Sequence, residues 1–220
     1  GHCMSKKVIN QNTNYDSELL NSIGSNFIFD ENPINRLKNT AKDLKKENDV
    51  NQIDKEKELN ELKLQINSIN DCGLKHNSKK IVLGDGNINS PIMLVGEAPG
   101  VEEDNLGLTF LGDVGDLLRK MLMAINIKKE NIYSTYAVNF RPPEDRKPSP
   151  KEIKRYSQFL QKQISIIKPK IIILMGSSAM ESLTGLNSKI STERGKWKEV
   201  IVKNTTYNVG LLYTYDADDK

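Results

Sequence analysis

The rhythm of apolar positions changes near residue 81. Residues 5–35 are rich in Asn and Ser, with short apolar pieces at Leu19, Leu20, Ile23, Phe27 and Ile28. They support at most one helix, Asp16 to Ile23, ahead of a loop. Residues 36–58 are dense in Lys, Asp, Glu and Asn, a composition that reads as a linker or an exposed helix. Leu59, Leu62, Ile66 and Ile69 then recur at spacings of three and four, which predicts an amphipathic helix over 55–69.

From Ile81 the pattern becomes that of strands alternating with helices. Ile81-Val82-Leu83 precedes a turn at Gly84-Asp85-Gly86-Asn87, and Ile92–Val95 is the first clear strand. Asp113–Ile125 reads as a helix with Leu117, Leu118, Met121, Leu122 and Ile125 on one face. Ile132–Val138 is a second strand, and Arg141–Pro150 a Pro-rich loop. Ser149 and Glu152 form a plausible capping box for a helix over Pro150–Ile167. Lys170–Met175 is an apolar strand followed by a helix from Ser177 to Leu183, and Val200–Val202 and Val209–Tyr213 end the set. This order argues a parallel sheet covered on both faces. The expected fold class is α/β: a three-layer α/β/α sandwich with a short, mostly parallel central sheet and a helical N-terminal extension.

Composition narrows the class. The chain has 220 residues, 37% of them hydrophobic, and a mean hydropathy of −0.54. No apolar run approaches the ~20 residues of a membrane-spanning helix, and residues 5–30 do not resemble a secretory signal. A cytoplasmic protein is the expectation. Gly1-His2-Cys3-Met4 reads as an expression scar. The only cysteines are Cys3 and Cys72, too few for a disulfide framework or a four-cysteine metal site.

Net charge is +3, unevenly spread: residues 1–71 carry 10 basic and 12 acidic side chains, residues 72–220 carry 22 and 17. Arg141, Arg146, Lys147, Lys151, Lys154 and Arg155 cluster, as a phosphate-contacting patch would. The same residues also fit a solvated face, because Glu144, Asp145 and Glu152 are interleaved.

The richest stretch for chemistry is Gly96-Glu97-Ala98-Pro99-Gly100. It follows the first strand, so an acidic residue lies at a strand's carboxyl end, where open α/β sheets form ligand crevices. The Gly-Lys-Ser/Thr ending of a P-loop is missing, as is GxGxxG. Taken alone, five residues read as a tight turn with an exposed Glu. Glu103-Asp104, Gly107, Phe110 and Gly112 follow at fixed distances, then Tyr133, Arg141-Pro142-Pro143, Arg146, Pro148, Ile171–Gly176 with Ser177, and Arg194-Gly195-Lys196-Trp197.

This ordered set resembles the family 4 uracil-DNA glycosylases and the related domains carried by some bacteria and phage polymerases. The resemblance spans Leu59 to Tyr215. It implies DNA as partner and a base taken out of the stack into a pocket. Glu97 would position or activate the attacking water. Backbone amides of Gly96, Ala98, Pro99 and Gly100 (proline lending only its carbonyl) would line the base site. Phe110, thirteen residues after Glu97, would stack on the base, though a core aromatic is the commoner fate. Arg141, Arg146 and Lys147 would contact DNA.

Three departures stand out. The family's base-reading Asn falls on Tyr136, while Asn139 is three residues on and points to the other strand face. A Tyr lacks an amide's paired donor and acceptor, leaving one hydroxyl or a bulk that fills the pocket. The family's His-Pro motif falls near Asp216, and Asp216–Lys220 reads as a short acidic tail of a truncated chain. The four cysteines of the family's iron–sulfur cluster fall on Ile69, Cys72, Phe140 and Tyr156, so no cluster is expected.

The reading is a glycosylase acting on uracil or a similar deaminated base in DNA, with weak or altered activity, working as a monomer. The alternative is a catalytically degenerate domain that binds DNA or serves a polymerase. A small-molecule or nucleotide binder using the same pocket is a third option. The expected domains are an extension over 5–58 and a glycosylase-like domain over 59–215.

Overall fold

The computed structural model describes residues 41–70, 73–185, 195 and 197–212. The expected helix over Asp16–Ile23, Cys72, Arg194, Lys196 and the segment from Tyr213 lie outside these residues. The chain divides into two units, residues 1–44 and 45–220. The first contributes only the opening turn of α1 to the described residues, and the sheet with its covering helices belongs to the second.

The helices are α1 (Ala41–Asn67), α2 (Gly73–Asn77), α3 (Val101–Leu106), α4 (Gly112–Ala124), α5 (Pro150–Ile167) and α6 (Ser177–Thr184). The strands are β1 (Asp85–Gly86), β2 (Ile92–Gly96), β3 (Tyr133–Tyr136), β4 (Ile171–Met175), β5 (Trp197–Val202) and β6 (Thr205–Leu212). They form one sheet in the order β1-β3-β2-β4-β6-β5. The four inner strands are parallel, and β1 and β5 are antiparallel edges.

Alternation within the strands builds two cores. Met93, Val95, Ile172 and Leu174 face one side, packed with Leu59, Leu62 and Ile66 of α1, Leu160 and Ile164 of α5 and Met180 of α6. Leu94, Tyr136 and Met175 face the other, packed with Leu118 and Leu122 of α4 and with Phe110. The expected three layers result from this division. With both faces covered, the parallel strands carry continuous apolar runs.

α5 begins where the capping box places it. The Ser149 N–H donates to Glu152 Oε2 at 2.7 Å, and the Glu152 N–H to Ser149 Oγ at 3.4 Å. The segment from Ala41 takes the helical of its two expected alternatives, continuous with the amphipathic stretch. Two details differ from expectation. The Gly84–Asn87 turn contains a two-residue edge strand, where a Gly86 Cβ would meet the Ile132 carbonyl at 2.0 Å. Of the expected apolar face of α4 only Leu118 and Leu122 are buried, whereas Leu117 is 59% exposed and Met121 41%, because the sheet reaches only one side of the apolar stripe.

For the site the order of the inner strands decides most. β3 and β4 lie on opposite sides of β2, so the chain switches direction there. Crevices open at the carboxyl ends of strands at such a point.

Candidate active site

Glu97 follows the last residue of β2, opposite the start of α6. Its Oε1 accepts the Ser178 N–H at 2.7 Å and the Ser177 hydroxyl at 3.2 Å. These are the exposed donors of a helix N-terminus, a favourable seat for a carboxylate. Gly176 makes room: a Cβ there would lie 2.5 Å from Glu97 Cδ. Oε2 accepts no hydrogen bond among the described residues. The carboxylate is thus held by one oxygen and offers the other to the cleft. Held so, it can take a proton from water and can face a cation.

The aromatic pair lies beside it. Register sets Gly96 opposite Tyr136 across β2 and β3. A Cβ on Gly96 would come within 2.7 Å of the Tyr136 ring and 2.9 Å of the Phe110 ring. The two rings are 5.0 Å apart and tilted by 40°, and they are only 3% and 4% exposed for Phe110 and Tyr136. Phe110 has φ +51°. A bulky residue in that region costs on the order of 1–3 kcal/mol, and such strain clusters at functional sites.

Glu103 joins these parts. It is 8% exposed. Oε2 accepts the Gly100 N–H at 3.0 Å and Oε1 the Leu111 N–H at 2.8 Å. The Tyr136 hydroxyl accepts the Phe110 N–H at 2.9 Å and lies within electrostatic reach of the Glu103 carboxylate. Burial first, then the Glu103 charge, push the Tyr136 hydroxyl well above the ordinary tyrosine value, and the Phe110 N–H opposes them. Two more carboxylates fix the surrounding loop. Asp104 accepts the Lys79 and Lys80 N–H groups at 2.8 and 3.2 Å, and Asp85 accepts the Thr109 hydroxyl at 2.9 Å.

Gly96, Glu97, Ala98, Gly100, Phe110 and Tyr136 line one open cleft of about 690 Å³. Glu102, Glu103, Asp113 and Asp145 also border it, giving an acidic wall. Pro99 lies in an adjoining cleft of about 370 Å³ with Arg146 and Lys147. Arg141 borders neither. Its guanidinium is bidentate to Asp145 at 2.7 and 2.8 Å, and Arg146 is bidentate to Glu152 at 2.9 and 2.8 Å. The interleaved carboxylates therefore neutralise both arginines locally.

Asn139 is occupied elsewhere: it is buried, and its Nδ2 donates to the Val82 carbonyl at 3.0 Å. His76 is exposed on α2. An iron–sulfur cluster does not fit the residues at the family's ligand positions. Phe140 and Tyr156 are buried and meet edge to face at 6.3 Å, and Ile69 packs on the same core. None offers a thiolate. Among the described residues no group of His, Cys, Asp or Glu has metal-site geometry.

Sequence reasoning singles out Glu103 and Asp104 without giving them a role, and misses Asp85. Two acidic residues directly after a Gly-rich turn are the available signal, since buried loop N–H groups need acceptors.

Comparison with known proteins adds a second line. The profile of the uracil DNA glycosylase superfamily matches residues 83–215. A type-4 uracil-DNA glycosylase of Archaeoglobus fulgidus is 35% identical over 146 residues, covering 64% of this chain and 73% of the relative. One from Sulfurisphaera tokodaii is 37% identical over 167 residues, covering 70% and 76%. A DNA polymerase of Bacillus phage SP01 is 33% identical over 128 residues, 58% of this chain but 14% of that protein.

Proposed function

The chain belongs to the uracil DNA glycosylase superfamily, and on that premise we propose that it hydrolyses the N-glycosidic bond of uracil, or of a similar deaminated base, in DNA. The observation that carries this reading is Glu97, a carboxylate anchored through one oxygen at the C-terminal edge of the sheet.

The chemistry stems from the cleft. A base flipped into it lies against Phe110 and the Gly96–Gly100 turn. As the glycosidic bond breaks, positive charge develops on the sugar and negative charge on the departing base. Glu97 faces the sugar, lowers the energy of that cation and takes a proton from the attacking water. The water oxygen bonds to the anomeric carbon, and the base leaves with the bonding pair.

One observation favours a second reading, a non-catalytic DNA-binding domain. The Tyr136 hydroxyl already accepts the Phe110 N–H, and this buried phenol lacks the paired donor and acceptor of an amide for a base edge. Incubating labelled single- and double-stranded DNA holding one uracil with excess protein decides between the two. Alkali-labile breaks at the uracil, lost in Glu97→Ala, establish the enzyme. No breaks at any protein excess leave only the binding domain.

The expected form is a monomer, and the reading that it carries no iron–sulfur cluster is supported by the aromatic packing of Phe140 and Tyr156. Purified protein should contain no stoichiometric iron, and its melting temperature should survive chelator with reductant. Iron at cluster stoichiometry overturns this.

A further inference from the structure

We propose that Glu103 is the positioning residue of this site, holding the Phe110–Leu111 bend and the Gly96–Gly100 turn in one frame. The inference rests on the glycosylase reading above.

Two segments of the cleft must keep a fixed separation for a flat ring to lie between them. One is the turn ending at Gly100, the other the bend at Phe110–Leu111. They belong to different loops, with α3 between them. Glu103 on α3 binds both, with Oε2 on the Gly100 N–H and Oε1 on the Leu111 N–H, at 3.0 and 2.8 Å. Asp104 holds the Lys79–Lys80 segment, and Asp85 holds Thr109 and pairs with Lys129 at 3.7 Å, but neither is bonded to the Gly96–Gly100 turn.

A separate contact holds Phe110 itself. Its N–H needs a partner in a left-handed backbone, and the Tyr136 hydroxyl supplies it. Glu103 places the bend, and Tyr136 pins the residue that carries the ring.

The test compares Glu103→Gln, Tyr136→Phe and the double variant in uracil release under multiple turnover. A platform contributes equally to substrate and transition state, so its loss raises KM and spares kcat. Base stacking has a magnitude that corresponds to about a ten-fold rise in KM for Glu103→Gln, with kcat within about two-fold. Tyr136→Phe should raise KM in the same direction. The double variant should be no worse than the worse single one, because both act as one unit.

An active wild type with an unchanged KM in both variants overturns the proposal. So do multiplying effects in the double variant, or a kcat that falls in step with melting temperature. Should Glu103→Gln fail to fold, Tyr136→Phe decides alone. A wild type releasing no uracil removes the glycosylase reading, and the positioning role with it.

Discussion

The Phe110 N–H donates to the Tyr136 hydroxyl at 2.9 Å while the two rings lie 5.0 Å apart, so backbone and side chain of one residue are both held by the other. Gly96 is the neighbour that permits this. Gly96→Ala would push a methyl group into both rings. Overpacking of this kind costs about 1–3 kcal/mol. The variant should melt earlier and release uracil more slowly with a raised KM. An unchanged melting curve would show that the pair yields without cost.

Gly176 plays the same part for Glu97. An added Cβ would overlap the carboxylate, and φ is +100°. Displacing a reacting group by about 1 Å can cost roughly 10²-fold. Gly176→Ala should therefore lower single-turnover cleavage by about that factor. Ser177→Ala removes only the 3.2 Å bond and leaves the Ser178 N–H at 2.7 Å, so it should change the rate by a few-fold at most. Equal losses in the two variants would contradict the geometry.

Asp145 masks Arg141 through two hydrogen bonds at the edge of the clefts. Asp145→Asn keeps the shape and removes the charge. DNA binding should tighten, and the slope of log affinity against log salt should steepen by about one. Fluorescence anisotropy at several salt concentrations reads both. An unaltered slope would mean that Arg141 faces no phosphate.

Much of the fold is legible in the residue pattern. α5 announces itself by a capping serine and by Tyr156, Leu160, Ile164 and Ile167 on one face, and β2 and β4 by uninterrupted apolar runs. The start of α1 is not legible, because its Lys- and Glu-rich composition suits a solvated helix and a linker equally. Leu117 and Met121 repeat with the correct period, yet periodicity cannot tell how wide the opposing surface is. At the site, Glu97 is found from its place after a strand. The role of Glu103 is not, because its bonds join segments whose proximity only the folded loop creates. The pairing of Arg141 and Arg146 is readable as charge alternation but not as geometry.

Arg146 supplies a pH prediction. Its bonds, more than any other contact, hold the Glu152 carboxyl down to about 2 from an ordinary 4.5. The unfolded chain takes up that proton near the ordinary value. Between these values the unfolded state binds more protons, so stability falls as pH drops through the window and is fully present above it. Glu152→Gln keeps a cap acceptor but loses the charge. Its melting temperature should lie below wild type at pH 7, by the equivalent of about 1 kcal/mol for a pair near the surface. The gap should close toward pH 2. A gap independent of pH would assign the loss to the cap instead.

Gln163 of α5 carries a consequence for the opposite face of the sheet. It meets the Tyr133 hydroxyl at 2.7 Å and the Thr135 hydroxyl at 3.0 Å, and donates to the Leu83 carbonyl at 2.8 Å. Tyr133 and Thr135 are two apart, the repeat of a strand, so a single amide reads the phase of β3. A slip by one residue would offer it Ser134 and Tyr136, or Ile132 and Ser134, and turn Ala137 or Thr135, respectively, toward the cleft. The aromatic in the cleft is chosen by an amide that never touches it.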